Sequence, residues 1–182
     1  MPPVKHTLER FIKHYSFYLG GDQPAVSRVE RLRSCAGAFV GLVLVLTVAK
    51  LLGEFSGIDE WLMASLGASA LLVFALPGSP MAQPWAVIAG NTLSALIGIS
   101  IAILINQPLL AMPIAASLSI MGMFILRCLH PLAAAVAMIA ILGHVTHYRY
   151  ALFPVLIDSV LLVLAGAIYS NLTGKVYPNR PK

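Results

Sequence analysis

An uncharged run of sixty-six residues, from Trp61 to Leu126, dominates this sequence, since it contains no Asp, Glu, Lys or Arg. It ends at Arg127-Cys128-Leu129-His130-Pro131, after which an equally apolar stretch resumes. A cation within a hydrocarbon layer costs about 2.5–3.5 kcal/mol, so a chain this sparing with charge keeps an arginine there only if something holds it. Arg127 and His130 are therefore the first candidates for a functional site.

The composition indicates an integral membrane protein, because 59% of the residues are hydrophobic and 10% are charged. The net charge of +5 belongs to the tails, with nine of the 19 charged residues up to Arg33 and three from Lys175 onward. Basic residues beside membrane segments favour the cytoplasmic side and anionic lipid. We therefore expect contact with the lipid bilayer and no nucleic-acid partner.

Six apolar segments predict an all-α membrane protein. Four of them have about the 20 residues that a bilayer core requires, namely Ser34–Gly53, Trp85–Ile105, Leu109–Leu126 and Leu152–Leu172. Two are shorter: 62–76, which ends at Pro77-Gly78-Ser79-Pro80, and 131–143, which His130-Pro131 opens. Each short segment could be a tilted helix, a half-helix or a re-entrant element.

The charge distribution predicts three regions and an orientation. Residues 1–32 form a cytoplasmic N-terminal region with an amphipathic helix over Leu8–Leu19, residues 33–172 a transmembrane domain, and residues 173–182 a cytoplasmic tail. Six crossings obey the positive-inside rule except at Arg149, and four crossings with two re-entrant elements also leave both termini in the cytoplasm. We expect the membrane to be a bacterial inner membrane.

Each half of the sequence reads as a long segment, a short interrupted segment and a long segment. Three segments per half give inverted topology, and paired short segments broken by Gly and Pro indicate a transporter's binding site. We therefore predict a three-plus-three inverted repeat. Small and polar residues at ordinary helix interfaces would give much the same pattern.

Arg127, His130 and Pro131 suggest an anion site. A proline in a first helical turn leaves amides free, and the positive end of the helix dipole with a guanidinium nearby suits a small anion. Alternatively, Arg127 extends to the lipid headgroups and His130 only caps a helix.

The proline-spaced link from Pro77 to Pro84 adds the hydroxyl of Ser79 to this candidate site. Non-helical backbone at membrane depth must line protein or a watery cavity, although a short surface loop is an equally good interpretation. Asn91, in the following span, would be a neutral hydrogen-bond donor.

Asp158 is the acid clearly within a membrane segment, and it needs a partner. Lys50 lies at a matching depth, so a structural ion pair is the simpler interpretation. Proton coupling is the alternative, because apolar surroundings favour a protonated carboxyl.

No cofactor, metal or enzymatic site is expected. Cys128, His130, His144 and His147 could supply four ligands, but their spacings match no zinc pattern. The sequence also has no zinc-protease helix motif and no phosphate-binding glycine-rich loop.

Several motifs together resemble the HPP family of integral membrane proteins over about Arg33 to Leu172. They are Leu66–Phe74, Pro77–Trp85, Gly90-Asn91, Leu93-Ser94-Ala95 and Arg127–Pro131. The family's His-Pro-Pro motif is His130-Pro131-Leu132 here. The resemblance implies at least four spans and, as in some members, nitrite transport; other members also carry a soluble regulatory domain, which we do not expect here.

We therefore expect a transporter or channel for a small inorganic anion such as nitrite. Arg127 would attract the anion, His130 and Ser79 would donate hydrogen bonds, and Asn91 would assist. The alternative is a non-transporting membrane interaction module. A homo-oligomer is compatible with six short spans, which enclose little volume.

Overall fold

The computed structural model describes residues 26–51 and 59–179, with side chains described over 26–51 and 65–179. The chain divides into two compact units, residues 1–31 and residues 32–182, and the second contains most of the described fold. The helices are α1 Arg28–Leu51, α2 Asp59–Ala75, α3 Pro84–Leu104, α4 Pro108–Ile125, α5 Ala133–Leu142 and α6 Ile157–Leu172. A 3-10 turn, Pro80–Ala82, precedes α3, and a π-helical stretch, Ala151–Leu156, precedes α6. The predicted helix over Leu8–Leu19 lies outside the described residues.

The all-α prediction is confirmed, and four of the described helices are long and apolar enough to cross a membrane. The first begins at Arg28, earlier than the predicted Ser34, because hydropathy marks contact with lipid and not the start of a helix. The second short helix begins at Ala133 and not at Pro131, since residues 131 and 132 form a turn in which the Ala133 amide donates to the His130 carbonyl.

Hydrogen bonds define which helix ends share a face of the membrane domain. The Arg33 guanidinium donates to the Phe74 carbonyl, so Arg33 of α1 lies beside the last turn of α2. The Trp85 indole donates to the Leu126 carbonyl, so α3 starts where α4 ends. We call this side the Gln83 face, after the residue that precedes α3, and the opposite side the Asn106 face, after the α3–α4 link.

The short helix α5 begins near the middle of the membrane domain. Gly90 of α3 packs against the Cys128 carbonyl and His130, and Gly98 packs against the backbone of Ala137. At 1.5 Å per residue, Gly90 lies about 9 Å and Gly98 about 21 Å along α3 from its start at the Gln83 face. The first residue of α5, four before Ala137, therefore lies about 15 Å deep, about halfway along α3.

The second short segment consequently crosses as a broken element. Its non-helical half, residues 126–132, descends from the Gln83 face, and its helical half, α5, continues toward the Asn106 face. Non-helical backbone at this depth requires protein around it, and α2 and α3 supply that protein. Both halves of the chain contain a long, a short and a long helix, while the two-fold relation between the halves stays a prediction.

The close packing of α3 on α5 predicts a large effect for Gly98→Ala. A Cβ at this position would lie 2.5 Å from the Ala137 carbonyl oxygen and 2.7 Å from its Cα, atoms of backbone that cannot rotate away. We expect the free energy of unfolding to fall by about 1–3 kcal/mol, measured by thermal unfolding in detergent. Gly67→Ala is the matched control, because nothing lies within 4 Å of its added methyl group, and an unchanged stability of Gly98→Ala would contradict this packing.

Candidate functional site

His130 forms a buried bridge between three parts of the chain. Its imidazole is fully buried. Nε2 lies 2.9 Å from Ser69 Oγ on α2, and Nδ1 lies 2.9 Å from the Met81 carbonyl oxygen in the link before α3. The imidazole therefore fastens the non-helical segment 126–132 both to a helix and to the other non-helical link, 76–83.

The bridge determines which nitrogen carries the proton. A carbonyl oxygen can only accept, so Nδ1 donates to Met81. In the neutral ring Nε2 is then an acceptor, and Ser69 donates its hydroxyl proton to it. Protonation of the ring would place a second proton on Nε2, so the Ser69 hydroxyl would have to reverse from donor to acceptor.

The link before α3 is held from several sides. Ser79 caps the 3-10 turn by accepting from the Met81 amide at 3.3 Å, and the Gln83 side chain donates to the Pro77 and Ser79 carbonyls. The hydroxyl of Tyr177, in the C-terminal segment, donates to the Ala82 carbonyl at 2.7 Å. Burial raises the pKa of Tyr177, so this hydroxyl stays a donor. Ser79 thus serves the turn, and the predicted contact of its side chain with an anion stays a prediction.

Arg127 lies exposed at the Gln83 face, directly after α4. Its φ of +52° is left-handed, and the Cys128 amide donates to the Met123 carbonyl at 3.0 Å, as in a helix C-terminal cap. The structure places Arg127 at the mouth of the segment that descends to His130, and not in contact with the imidazole. Pro131 is exposed in the turn before α5.

The start of α5 has the properties of an anion-binding helix terminus. No side chain caps it, because the residue at the cap position is Leu132. Ser65 Oγ donates to the Leu132 carbonyl at 3.4 Å, so α2 contacts the cap residue as well as His130. The amides of Ala133 and Ala135 donate to the His130 and Leu132 carbonyls, so the amide of the first turn that remains for an anion near mid-membrane is that of Ala134.

A second group of buried polar residues joins α3 to α6. Asn91 Nδ2 donates to Ser159 Oγ at 3.0 Å, and both side chains are almost completely buried. Asn91 Oδ1 and Ser94 Oγ are buried and have no hydrogen-bond partner among the described residues. These two oxygens could therefore still bind a ligand.

Asp158 and Lys50 differ in their exposure. Asp158 is 1% exposed, beside Ser159 on α6, whereas Lys50 is exposed in the last turn of α1. The predicted ion pair between Lys50 and this carboxylate stays a prediction. The other role considered for Asp158, proton coupling, stays a prediction.

Ser69 and the Met81 carbonyl are the site groups that the sequence analysis missed. Ser65 and Ser69 stand one turn apart in an apolar helix, and this i, i+4 spacing could have identified a polar face on α2. A backbone carbonyl carries no sequence signature. Over the described ranges, no three His, Cys, Asp or Glu side chains lie close enough to share a metal ion.

Comparisons with known proteins agree with this architecture. Residues 23–178 match the family model described as the HPP transmembrane region. Two transmembrane proteins of Dictyostelium discoideum are 32% and 30% identical to the chain over 175 residues, which cover 91% and 90% of it. The chain spans 56% and 61% of the length of these relatives. No solved structure matches it.

Proposed function

This chain belongs to the HPP transmembrane family, and we propose that it transports a small inorganic anion, with nitrite as the favoured substrate. The observation that carries the proposal is the uncapped start of α5 near mid-membrane. Half-helices that begin at this depth direct their positive ends at anionic substrates in several transporter folds.

The path to this site would start at Arg127. An exposed guanidinium at the mouth of the descending segment raises the local concentration of anions, while the Ala134 amide at the start of α5 and the neighbouring polar side chains replace part of their hydration shell. His130 holds the two non-helical links in position around the site. Asn91, about 10 Å along α3, lies about 5 Å short of this level, and its Nδ2 already donates to Ser159.

In the proposed orientation, the protein lies in a bacterial inner membrane and its Gln83 face is on the cytoplasmic side. This face carries Arg33 and Arg127, and positive charge near spans favours the cytoplasmic side. Both termini are then cytoplasmic. The variants Arg127→Cys and Lys50→Cys would test this orientation in intact cells. A membrane-impermeant thiol reagent should label the cysteine at position 50 and not the cysteine at position 127.

Flux through purified protein in sealed vesicles tests the function. We expect vesicles that contain the protein to take up nitrite faster than protein-free vesicles and faster than vesicles with an unrelated membrane protein. Competition by other small anions would rank the substrates. Correctly inserted protein with no anion flux would remove the proposal and favour a non-transporting membrane interaction module.

A further inference from the structure

A polar layer crosses the interface of α3 and α6 between two apolar clusters. One cluster contains Val87 of α3 and Leu162 of α6. The other contains Ala95 of α3 and Val155, just before α6. The buried polar residues between these positions include Asn91, Asp158 and Ser159, and the hydrogen bond from Asn91 to Ser159 shows that the two sides meet.

Side-chain positions bring Ser94 into the same layer. It follows Asn91 by three residues, so the two side chains are neighbours on one side of α3. Asp158 lies three residues after Val155 and four before Leu162, so it shares their side of the helix, toward α3. All four polar side chains of the layer are at least 98% buried.

We infer that this layer binds a sodium ion, with oxygen ligands from Asn91, Ser94, Asp158 and Ser159. The set contains oxygen ligands and one carboxylate, which suits a hard cation of single charge. Asn91 Nδ2 is occupied by Ser159, which turns Oδ1 away from that bond, and Oδ1 and Ser94 Oγ have no hydrogen-bond partner among the described residues. Protonation of the Asp158 carboxyl would not require the oxygens of Asn91 and Ser94, whereas a bound sodium ion requires several oxygen ligands.

The inference also gives the proposed transporter a coupling ion, and this part rests on the proposed function. The layer lies at the level of the start of α5, where the anion would bind. A cation and an anion in neighbouring sites attract each other in a medium of low dielectric constant, so each would favour binding of the other. Sodium moving down its gradient would then drive the anion.

Thermal unfolding of the purified full chain in detergent tests the site without any flux measurement. We compare sodium chloride with choline chloride at equal ionic strength. Sodium at a hundred times its dissociation constant should raise the Tm by roughly 5–10 °C. Equal Tm values in the two salts would overturn the inference, and so would a response to pH without a response to sodium.

Two matched serine variants test the location of the site. Ser94 and Ser119 are both fully buried hydroxyls without a partner among the described residues, but Ser119 lies on α4, outside the layer. Ser94→Ala should weaken sodium binding by roughly tenfold or more, a loss that even outer-shell groups of metal sites cause, whereas Ser119→Ala should leave the titration unchanged. Identical sodium titrations of Ser94→Ala and Ser119→Ala would overturn the proposed location of the site. In folded Asp158→Asn, sodium should no longer raise the Tm.

Vesicle flux separates failure of the site from failure of the function. Nitrite accumulation driven by a sodium gradient supports the coupling. Stabilisation by sodium without anion flux would retain the site and remove the proposed function. Anion flux without any stabilisation by sodium would remove the site and retain the function.

Discussion

Arg127→Gly is expected to lower nitrite flux while making the protein more stable. Loss of the charge at the mouth should cut flux by roughly tenfold or more at low ionic strength, the lower end of what electrostatic focusing supplies. The left-handed φ of +52° strains any residue with a Cβ, so glycine should raise the free energy of unfolding by about 1 kcal/mol. Flux in vesicles and thermal unfolding in detergent measure the two effects.

The structure offers a control with the same backbone geometry. His144 follows α5 with a φ of +50°, and the Val145 amide donates to the Ala140 carbonyl, as the Cys128 amide does to Met123. His144→Gly should therefore stabilise the protein equally and leave flux unchanged. The variant Arg127→Lys should retain part of the flux, because the charge persists without the planar guanidinium.

Ionic strength provides a further check on this mechanism. The Debye length falls from about 10 Å at 0.1 M to about 3 Å at 1 M salt, so the difference between wild type and Arg127→Gly should shrink in concentrated choline chloride. Wild-type flux in Arg127→Gly at low ionic strength would contradict the role of Arg127 and favour simple extension to the headgroups.

His130→Ala is expected to cause the largest loss of stability. It removes a fully buried ring and leaves the Ser69 hydroxyl and the Met81 carbonyl unpartnered. The free energy of unfolding should fall by about 2–5 kcal/mol, and the two links should separate, so that flux is lost as well. Thermal unfolding and vesicle flux on the same preparation measure both.

Conservative variants separate the two arms of the bridge. In His130→Asn the amide nitrogen can stand where Nδ1 stands, so the bond to Met81 survives and stability should be intermediate. Ser69→Ala removes the other arm and should cost about 1–3 kcal/mol, whereas Ser119→Ala, a buried hydroxyl without a described partner, should cost almost nothing. Equal stability of Ser69→Ala and Ser119→Ala would contradict the bridge.

The bridge also predicts a pH dependence. Protonation of the imidazole reverses the Ser69 hydroxyl, so wild-type flux should change across the pH range in which this buried imidazole gains its proton. The flux of His130→Asn should not change in this range. Identical pH profiles of the two proteins would show that the imidazole does not titrate during transport.

The sequence by itself determined the class and the helical segments of this protein. The thickness of a bilayer requires about 20 apolar residues per span, and this requirement predicted α1, α3, α4 and the π-helical stretch with α6 to within a few residues, except at the start of α1. The prolines around Ser79 and His130 indicated correctly that two segments would be interrupted, because proline cannot continue a helix.

Tertiary structure alone decided which polar groups meet. Ser69 and His130 are 61 residues apart, Met81 and His130 are 49 apart, and Asn91 and Ser159 are 68 apart. Each pair joins segments that are distant along the chain, and hydropathy predicts the depth of a residue but not the direction that its side chain faces. Depth alone predicted the Lys50–Asp158 pair, but Lys50 is exposed in the last turn of α1 whereas Asp158 is 1% exposed. The absence of a side chain at Gly90 and Gly98 lets α3 lie directly against His130 and the backbone of Ala137, a contact that only the folded chain reveals.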